Sequence, residues 1–275
     1  MTENLKPEAL DILKIVASSS SRLTPAALEK SLSKNTHLKK KEIKALVKDL
    51  VDRGELIYTY EFGLTFLERS FNKPIRISNA VVIKPPGHSY QPESEDIILK
   101  IKSGASFGDG RHPSTRLAVR GIEYLLKDFD SKLSSSEHRR TVLDIGTGSG
   151  ILVMVAVKLG MKSGVGIDID PCARIEAREN ILINDLTHQI KISDQYLETI
   201  NESYFLVTAN LRLPTLKKIS PILRKIVSPN GYMVISGVRS HEADDLIDKY
   251  GTKGFEKFWI ENEHNWACIV FRYSK

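Results

Sequence analysis

The stretch Thr141 to Gly150, TVLDIGTGSG, constrains this chain more than any other. A short run of β-branched and aliphatic residues reads as a buried parallel strand. Three alternate glycines then turn the backbone at once into the apolar helix ILVMVAVKLG. A strand that turns at a glycine-rich corner into a helix belongs to an α/β fold, with helices on the faces of a parallel sheet. The corner alone is a weak functional signal, because a tight turn is enough to explain it. The spacing to the next strand sharpens it. GVGIDID ends in Asp168, 22 positions beyond Gly146. An acid about 20 residues past such a corner stands at the neighbouring strand's tip, placed to bind both hydroxyls of a ribose.

The choice of nucleoside follows from the rest of the corner. A dinucleotide site reads G-x-G-x-x-G and aims a helix N-terminus at pyrophosphate. Here G-x-G-x-G follows an acid, Asp144. A carboxylate beside the turn suits the sulfonium and ammonium of S-adenosylmethionine and repels a pyrophosphate. The cofactor-binding candidates on this corner are therefore Asp144, Gly146, Gly148, Gly150 and Asp168.

From Ile97 onward, strand candidates TVLDIG, GVGIDI, IKISD, YFLVTAN and YMVISG alternate with helical patterns. Two late strands, FEKFWIE and NWACIVFRYS, leave no room for a crossover helix between them, so an antiparallel hairpin is expected. Class I S-adenosylmethionine-dependent methyltransferases close their sheet in that way. Asn210 ends YFLVTAN, at the carboxyl edge where such sheets bind ligands. An Asn carbonyl there can accept the N–H bonds of an amine and aim its lone pair at a methyl group, which is catalysis by positioning. Leu211 and Arg212 follow in place of the N-P-P-aromatic form used on planar amides and base amines, which favours an aliphatic amine.

The first 75 residues have a different grammar. Pro7 to Ala17 reads as a helix, and Thr24-Pro25 as a capped helix start. In KKKEIKALVKDLVDRGEL an apolar stripe of Ile43, Leu46, Val47, Leu50 and Val51 ends at Gly54. LIYTYEFGLTFLE then alternates as two strands around Phe62-Gly63. Three helices and a hairpin make the winged-helix pattern. The expected organisation is a winged-helix-like docking domain over 1–75, a strand (Ile75 to Ile83) and proline-rich connector over 76–96, and a methyltransferase domain over 97–275.

Bulk properties limit the setting. A net charge of +6 permits an anionic partner without demanding one. The two cysteines, Cys172 and Cys268, lie far apart with no CxxC. They read as core filler, and neither a disulfide framework nor a structural zinc is expected. The start MTENLKPEAL reads as no secretory signal, and the longest apolar run, Ile151 to Val157, is too short to span a bilayer. A cytoplasmic protein is expected.

From about Ser103 onward the chain resembles the PrmA family of ribosomal-protein-L-eleven methyltransferases. The resemblance rests on FGDGRHPST, LDIGTGSGIL, GIDIDPCA, the asparagines around Asn180 to Asn184, VTANL and Trp266, in that order. It implies that SFGDGRHPSTR, residues 106 to 116, is a cofactor-capping loop running into a helix, with Phe107 in the loop and Pro113 at the first helical position. It implies cofactor contacts at Thr115, Gly146, Asp168 and Asn210, and an amino group of a ribosomal protein as substrate. Asp109, Arg111 and Ser114 stand where the family has threonines. The family's usual N-terminal domain is not visible, and the winged-helix pattern takes its place.

Several residues carry two readings. His112 is a base or a helix-start residue; Asp194 approaches the adenine amino group or caps a solvated turn. Asp170 is a helix cap or shares the ribose, Asn184 is a family position or a C-cap, and Trp259 and Trp266 pack the hairpin or line a groove. Lys41, Lys44 and Lys48 form the polar face of the third helix, for protein docking or for nucleic acid. The two functions in competition are a protein N-methyltransferase and a nucleic-acid-binding protein that methylates RNA or senses the cofactor.

Overall fold

The computed structural model describes residues 5–19, 22–36, 38–61, 63–102, 104, 106–128 and 141–274, so Phe62 of the expected turn lies outside the described residues. The chain divides into two compact units, Met1–Pro74 with His88–Tyr90, and Ile75–Gly87 with Gln91–Lys275.

The first unit holds α1 (Pro7–Ser18), α2 (Pro25–Asn35), α3 (Lys40–Asp52) and the hairpin of β1 (Leu56–Glu61) and β2 (Leu64–Arg69). Local chemistry starts and stops each helix. Thr24 Oγ1 accepts from the Ala27 amide at 3.2 Å ahead of Pro25. Glu42 reaches back to the Lys39 amide at 2.7 Å. Ile12, Leu28, Leu32, Ile43, Leu50, Leu56 and Leu67 close into one buried core. Leu23 forms an isolated antiparallel bridge to Leu67, so a third short extended segment flanks the hairpin.

The second unit opens on a three-stranded sheet of β3 (Ile75–Arg76), β4 (Val81–Lys84) and β5 (Ile97–Lys100). The single strand expected over 75–83 is instead two antiparallel strands. The break has a cause far away in sequence. The buried Glu123 carboxylate accepts from the Asn79 and Ala80 amides at 3.1 and 2.7 Å, pulling residues 77–80 into a turn. Glu123 ends α4 (Pro113–Glu123).

The main sheet comprises β6 (Thr141–Ile145), β7 (Ser163–Ile167), β8 (Ile190–Ser193), β9 (Tyr204–Asn210), β10 (Val227–Arg239), β11 (Phe255–Glu263) and β12 (Trp266–Tyr273), in the order β11-β12-β10-β9-β6-β7-β8. The helices between them are α5 (Ile151–Lys158), α6 (Pro171–Ile183), α7 (Leu213–Ile226) and α8 (Ala243–Gly251). β12 runs antiparallel to both its neighbours, β10 and β11, while β6 to β10 are parallel. This is the α/β class I methyltransferase sheet with its antiparallel C-terminal hairpin.

All seven residues from Ile151 to Val157 are buried, which explains the unbroken apolar run of α5. Among the described residues no helix is long and apolar enough to cross a membrane. The strand order reverses between β6, which leads out to β7 and β8, and β9, which starts the other half. That switch point opens a crevice at the strands' carboxyl ends.

Candidate functional site

The glycine corner leaves β6 on one side of this crevice. Gly146, Gly148 and Gly150 have φ of +69°, +54° and +82°, which L side chains rarely adopt. At Gly148 sterics add to the constraint, because a Cβ would overlap the carbonyl oxygen of Phe107. The Gly146 and Thr147 amides both donate to Ile167 O, at 2.9 and 3.0 Å, tying the corner to the end of β7. Just past β7, Asp168 accepts from the Gly148 amide at 3.0 Å through Oδ2 and from the Asp170 amide at 3.0 Å through Oδ1. Each oxygen keeps lone-pair capacity beyond these bonds.

Asp144 takes a different position from the one expected. It is 1% exposed, and both carboxylate oxygens are occupied: Thr147 Oγ1 donates at 2.7 Å and Thr208 Oγ1 at 2.6 Å. It braces the turn from beneath instead of meeting a ligand at its mouth. Burial pushes its pKa up to about 6 against the pull of the Thr208 and Thr147 hydroxyls.

Across the switch point, Asn210 ends β9. Its Nδ2 donates to Thr115 Oγ1 at 3.3 Å, and Thr115 is fully buried in the first turn of α4. Its Oδ1 is buried with no hydrogen-bond partner among the described residues. A buried acceptor left bare costs about 1–3 kcal/mol, so it marks a place for a donor from elsewhere. Gly237, at a bulge in β10, keeps the space open: a Cβ there would stand 2.9 Å from Asn210 Oδ1.

The 106–112 segment lies over the corner. Ser149 donates twice to it, from its amide to Phe107 O at 3.0 Å and from Oγ to Gly108 O at 2.7 Å. Glu176 of α6 accepts from the Ser106 amide at 3.0 Å. Phe107 itself is 52% exposed, with its ring 5.1 Å from that of His112. His112 caps α4 through Nδ1, which accepts from the Ser114 amide at 3.2 Å, so its helix-start role is the one observed. Asp194 is exposed just beyond β8, one residue past the Ser193 carbonyl that accepts from the Asp168 amide at 3.4 Å.

A model of one family, described as Ribosomal protein L11 methyltransferase (PrmA), matches residues 67–274. The chain belongs to this family.

Among curated relatives, the ribosomal protein L11 methyltransferase of Geotalea uraniireducens (strain Rf4) is 34% identical over 206 residues, 74% of this chain and 65% of that protein. The namesake of Clostridium botulinum (strain Eklund 17B / Type B) is 31% identical over 202 residues, 74% of this chain and 61% of its own length. The chain thus spans less than two thirds of the length of these relatives. A solved ribosomal protein L11 methylase from Lactobacillus delbrueckii subsp. bulgaricus superposes with a TM-score of 0.65 at 26% identity, covering 74% of this chain and all of that one.

The cofactor of this PrmA-family chain is S-adenosylmethionine. The site's donor set fits it: acceptors free on Asp168, a bare Asn210 Oδ1, and a buried anion under the corner. The site also uses Glu176, which reading along the chain did not single out, and gives Asn180 and Asn184 a shared task. The three recur every four residues on one face of α6. Asn180 bridges Ser149 O and the Lys102 amide, each at 3.0 Å. Asn184 holds the Lys100 backbone from both sides, at 2.9 and 2.7 Å, besides standing as the C-cap of α6. The four-residue repeat was the available signal.

Asp170 caps α6 by accepting from the Cys172 amide at 2.8 Å. Trp259 stacks on Tyr124 at 5.4 Å, whereas Trp266 sets its edge against His112 at 4.5 Å and joins the loop. Cys268 is buried, but Cys172 is exposed and fills no core.

Proposed function

We propose that this chain is an S-adenosylmethionine-dependent N-methyltransferase acting on an amino group of a protein, with a ribosomal protein as the substrate class its relatives' names indicate. The single observation that carries the reading is Asn210: a buried, unpartnered Oδ1 at the switch point, held by Thr115 across from the corner that ends β6. When bound, the cofactor supplies an electrophilic methyl group on a sulfonium. Asp168 would hold the ribose hydroxyls, and Gly146, Gly148 and Gly150 let the backbone pass close beneath the ligand. Asp194, exposed just beyond β8, would approach the adenine amino group. Phe107 and Thr115 belong to the loop and helix start that cover the site, and Asp144 contributes negative charge from below.

The chain's own catalytic task is to present a neutral amine in line. Asn210 Oδ1 accepts one N–H of the amine and so aims its lone pair, a positioning effect that needs no strong base. The amine sheds its proton more readily on leaving water, because desolvation disfavours the ammonium.

Docking belongs to the first unit. Its three helices, the hairpin and the Leu23–Leu67 bridge support a winged-helix fold, and the family match begins only at residue 67. On the exposed face of α3, Lys48 pairs with Asp52 at 2.9 Å and Lys44 stands 3.8 Å from Glu29. Such pairing blunts the positive field that a phosphate backbone requires, which favours a protein partner. A cytoplasmic location belongs to the same reading. The test is transfer of a labelled methyl group into lysate or ribosomal proteins, followed by separate nuclease and protease digestion. Label that survives RNase and is released by protease is expected; label lost to RNase would overturn the protein substrate.

A further inference from the structure

The C-terminal hairpin reaches the cofactor side of the molecule through two residues that face each other across its end. β11 and β12 join through His264 and Asn265, both at positive φ (48° and 65°), as in the tightest hairpin turns. Glu263 and Trp266 are therefore directly paired. Glu263 accepts from Arg116 through Nε at 2.9 Å and through Nη2, and from Arg120 Nη2 at 2.5 Å. Arg120 also pairs with Glu261 at 2.7 Å. The two arginines lie four apart on one face of α4.

The other end of the Arg116 guanidinium turns the opposite way. Its Nη1 donates to the carbonyls of Gly110, at 3.3 Å, and of Arg111. One rigid fork thus joins a hairpin carboxylate to the backbone of the 106–112 segment, a geometry that lysine cannot reproduce. The pair is mostly sheltered, with side chains 17% and 16% exposed, unlike the Lys48–Asp52 pair at 77% and 60%. Burial alone would push the Glu263 carboxyl up, but Arg116 and Arg120 outweigh it and hold the group below the usual carboxylate range. The latch therefore stays charged at neutral pH.

We propose that Glu263, acting through Arg116, is a positioning residue that holds the 106–112 segment closed over the glycine corner. The consequence for activity rests on the methyltransferase reading; the latch itself does not. Gly108 and Gly110, with φ of +104° and +90°, give the segment a path that no regular backbone ladder supports. Besides the Ser149 amide on Phe107 O, its closure depends on side chains from elsewhere: Ser149 Oγ and Glu176 on one side, Arg116 and the Trp266–His112 contact on the other. Freed from Glu263, Arg116 has lost the anchor that aims it at the two carbonyls.

The experiment is hydrogen exchange by mass spectrometry on the full chain, comparing the parent with Glu263→Gln, Arg116→Lys and the double variant, alongside cofactor titration. Exchange over residues 106–112 is expected to rise about ten-fold in each single variant, as charge-assisted bonds are lost. β7 and β8 should stay as protected as in the parent. The double variant should be no worse than either single one, since both cut the same link. The cofactor dissociation constant should rise about ten-fold with turnover at saturation changed by under about two-fold, because the latch acts on closure rather than on the reacting atoms. Unchanged exchange at 106–112, or a rise spread evenly over the sheet, overturns the latch. A parent protein that binds no cofactor would overturn the methyltransferase reading, and the exchange comparison would still decide the latch.

Discussion

The two walls of the crevice are built by opposite means. The glycine corner, Asp144 to Gly150 with Asp168, is tied mainly through its own backbone amides: those of Gly146 and Thr147 on Ile167 O, and that of Gly148 on the Asp168 carboxylate. These bonds join the ends of β6 and β7, which are adjacent parallel strands. The 106–112 segment opposite has one backbone bond to the corner, from the Ser149 amide to Phe107 O, and is otherwise held by side chains: Glu176 of α6, Ser149 Oγ, and Arg116 of α4 anchored on the end of the β11–β12 hairpin. One wall is thus rigid by construction, and the other is closed only while its latches hold. Mutations in the first should therefore change what the site can bind, and mutations in the second how long it stays shut.

Asp168→Ala should give the largest effect. If Asp168 holds the ribose as proposed, the variant removes two charge-assisted bonds, each worth about 1.5–3 kcal/mol, so cofactor affinity should fall at least about a hundred-fold. Calorimetry showing the parent's affinity in this variant would remove the cofactor from this corner.

The buried Asp144 supplies the next test. Its folded pKa is raised, from 3.8 to about 6, so the folded state keeps a proton that the unfolded chain has released. Stability from this group is present below pH 4 and is lost as pH rises to about 6. The loss is about 3 kcal/mol, since each tenfold difference in proton affinity between the two states is worth about 1.4 kcal/mol. Cofactor-free melting curves between pH 4 and 7 should show this decline in the parent and not in Asp144→Asn. A cationic cofactor favours the ionised carboxyl, so its affinity should weaken as pH falls below about 6. A parent and variant with parallel pH profiles would place the charge elsewhere.

Asn210→Ala separates binding from chemistry. If Oδ1 aims an amine, single-turnover methyl transfer should slow about a hundred-fold while the cofactor constant stays within about three-fold. Equal losses in both would reduce Asn210 to a cofactor ligand and shift the positioning role to the 106–112 segment.

The smallest effect tests the weaker wall. Ser149→Ala deletes only the Oγ bond to Gly108 O, a neutral contact worth about 1 kcal/mol. Exchange at 107–110 should quicken about five-fold without change at Asp168. If Ser149→Ala costs as much affinity as Asp168→Ala, the two walls are not separable and the contrast between them fails.

What could be read along the chain was whatever depends on neighbours in sequence. The corner, its 22-residue distance to Asp168, the α/β alternation and the closing hairpin are all patterns of local period and spacing. Asn210 was legible for the same reason: the end of a parallel strand is a defined place in such a sheet. The split of residues 75–83 was not, because the carboxylate that folds the turn sits on Glu123, more than 40 positions away.

The sequence by itself determined the sheet and where its carboxyl edge lies, since strand periodicity and right-handed crossovers leave few alternatives. Only the tertiary structure decided the orientation of the side chains on that edge. Asp144 and Asp168 flank the same corner, yet Thr147 and Thr208 claim the first from beneath while the second meets only amides and keeps its outer lone pairs. Arg116 becomes a latch because a hairpin ending about 150 positions later brings Glu263 to it. Hydrogen-bond capacity is written in each residue, but which partner uses it depends on distances that only packing sets.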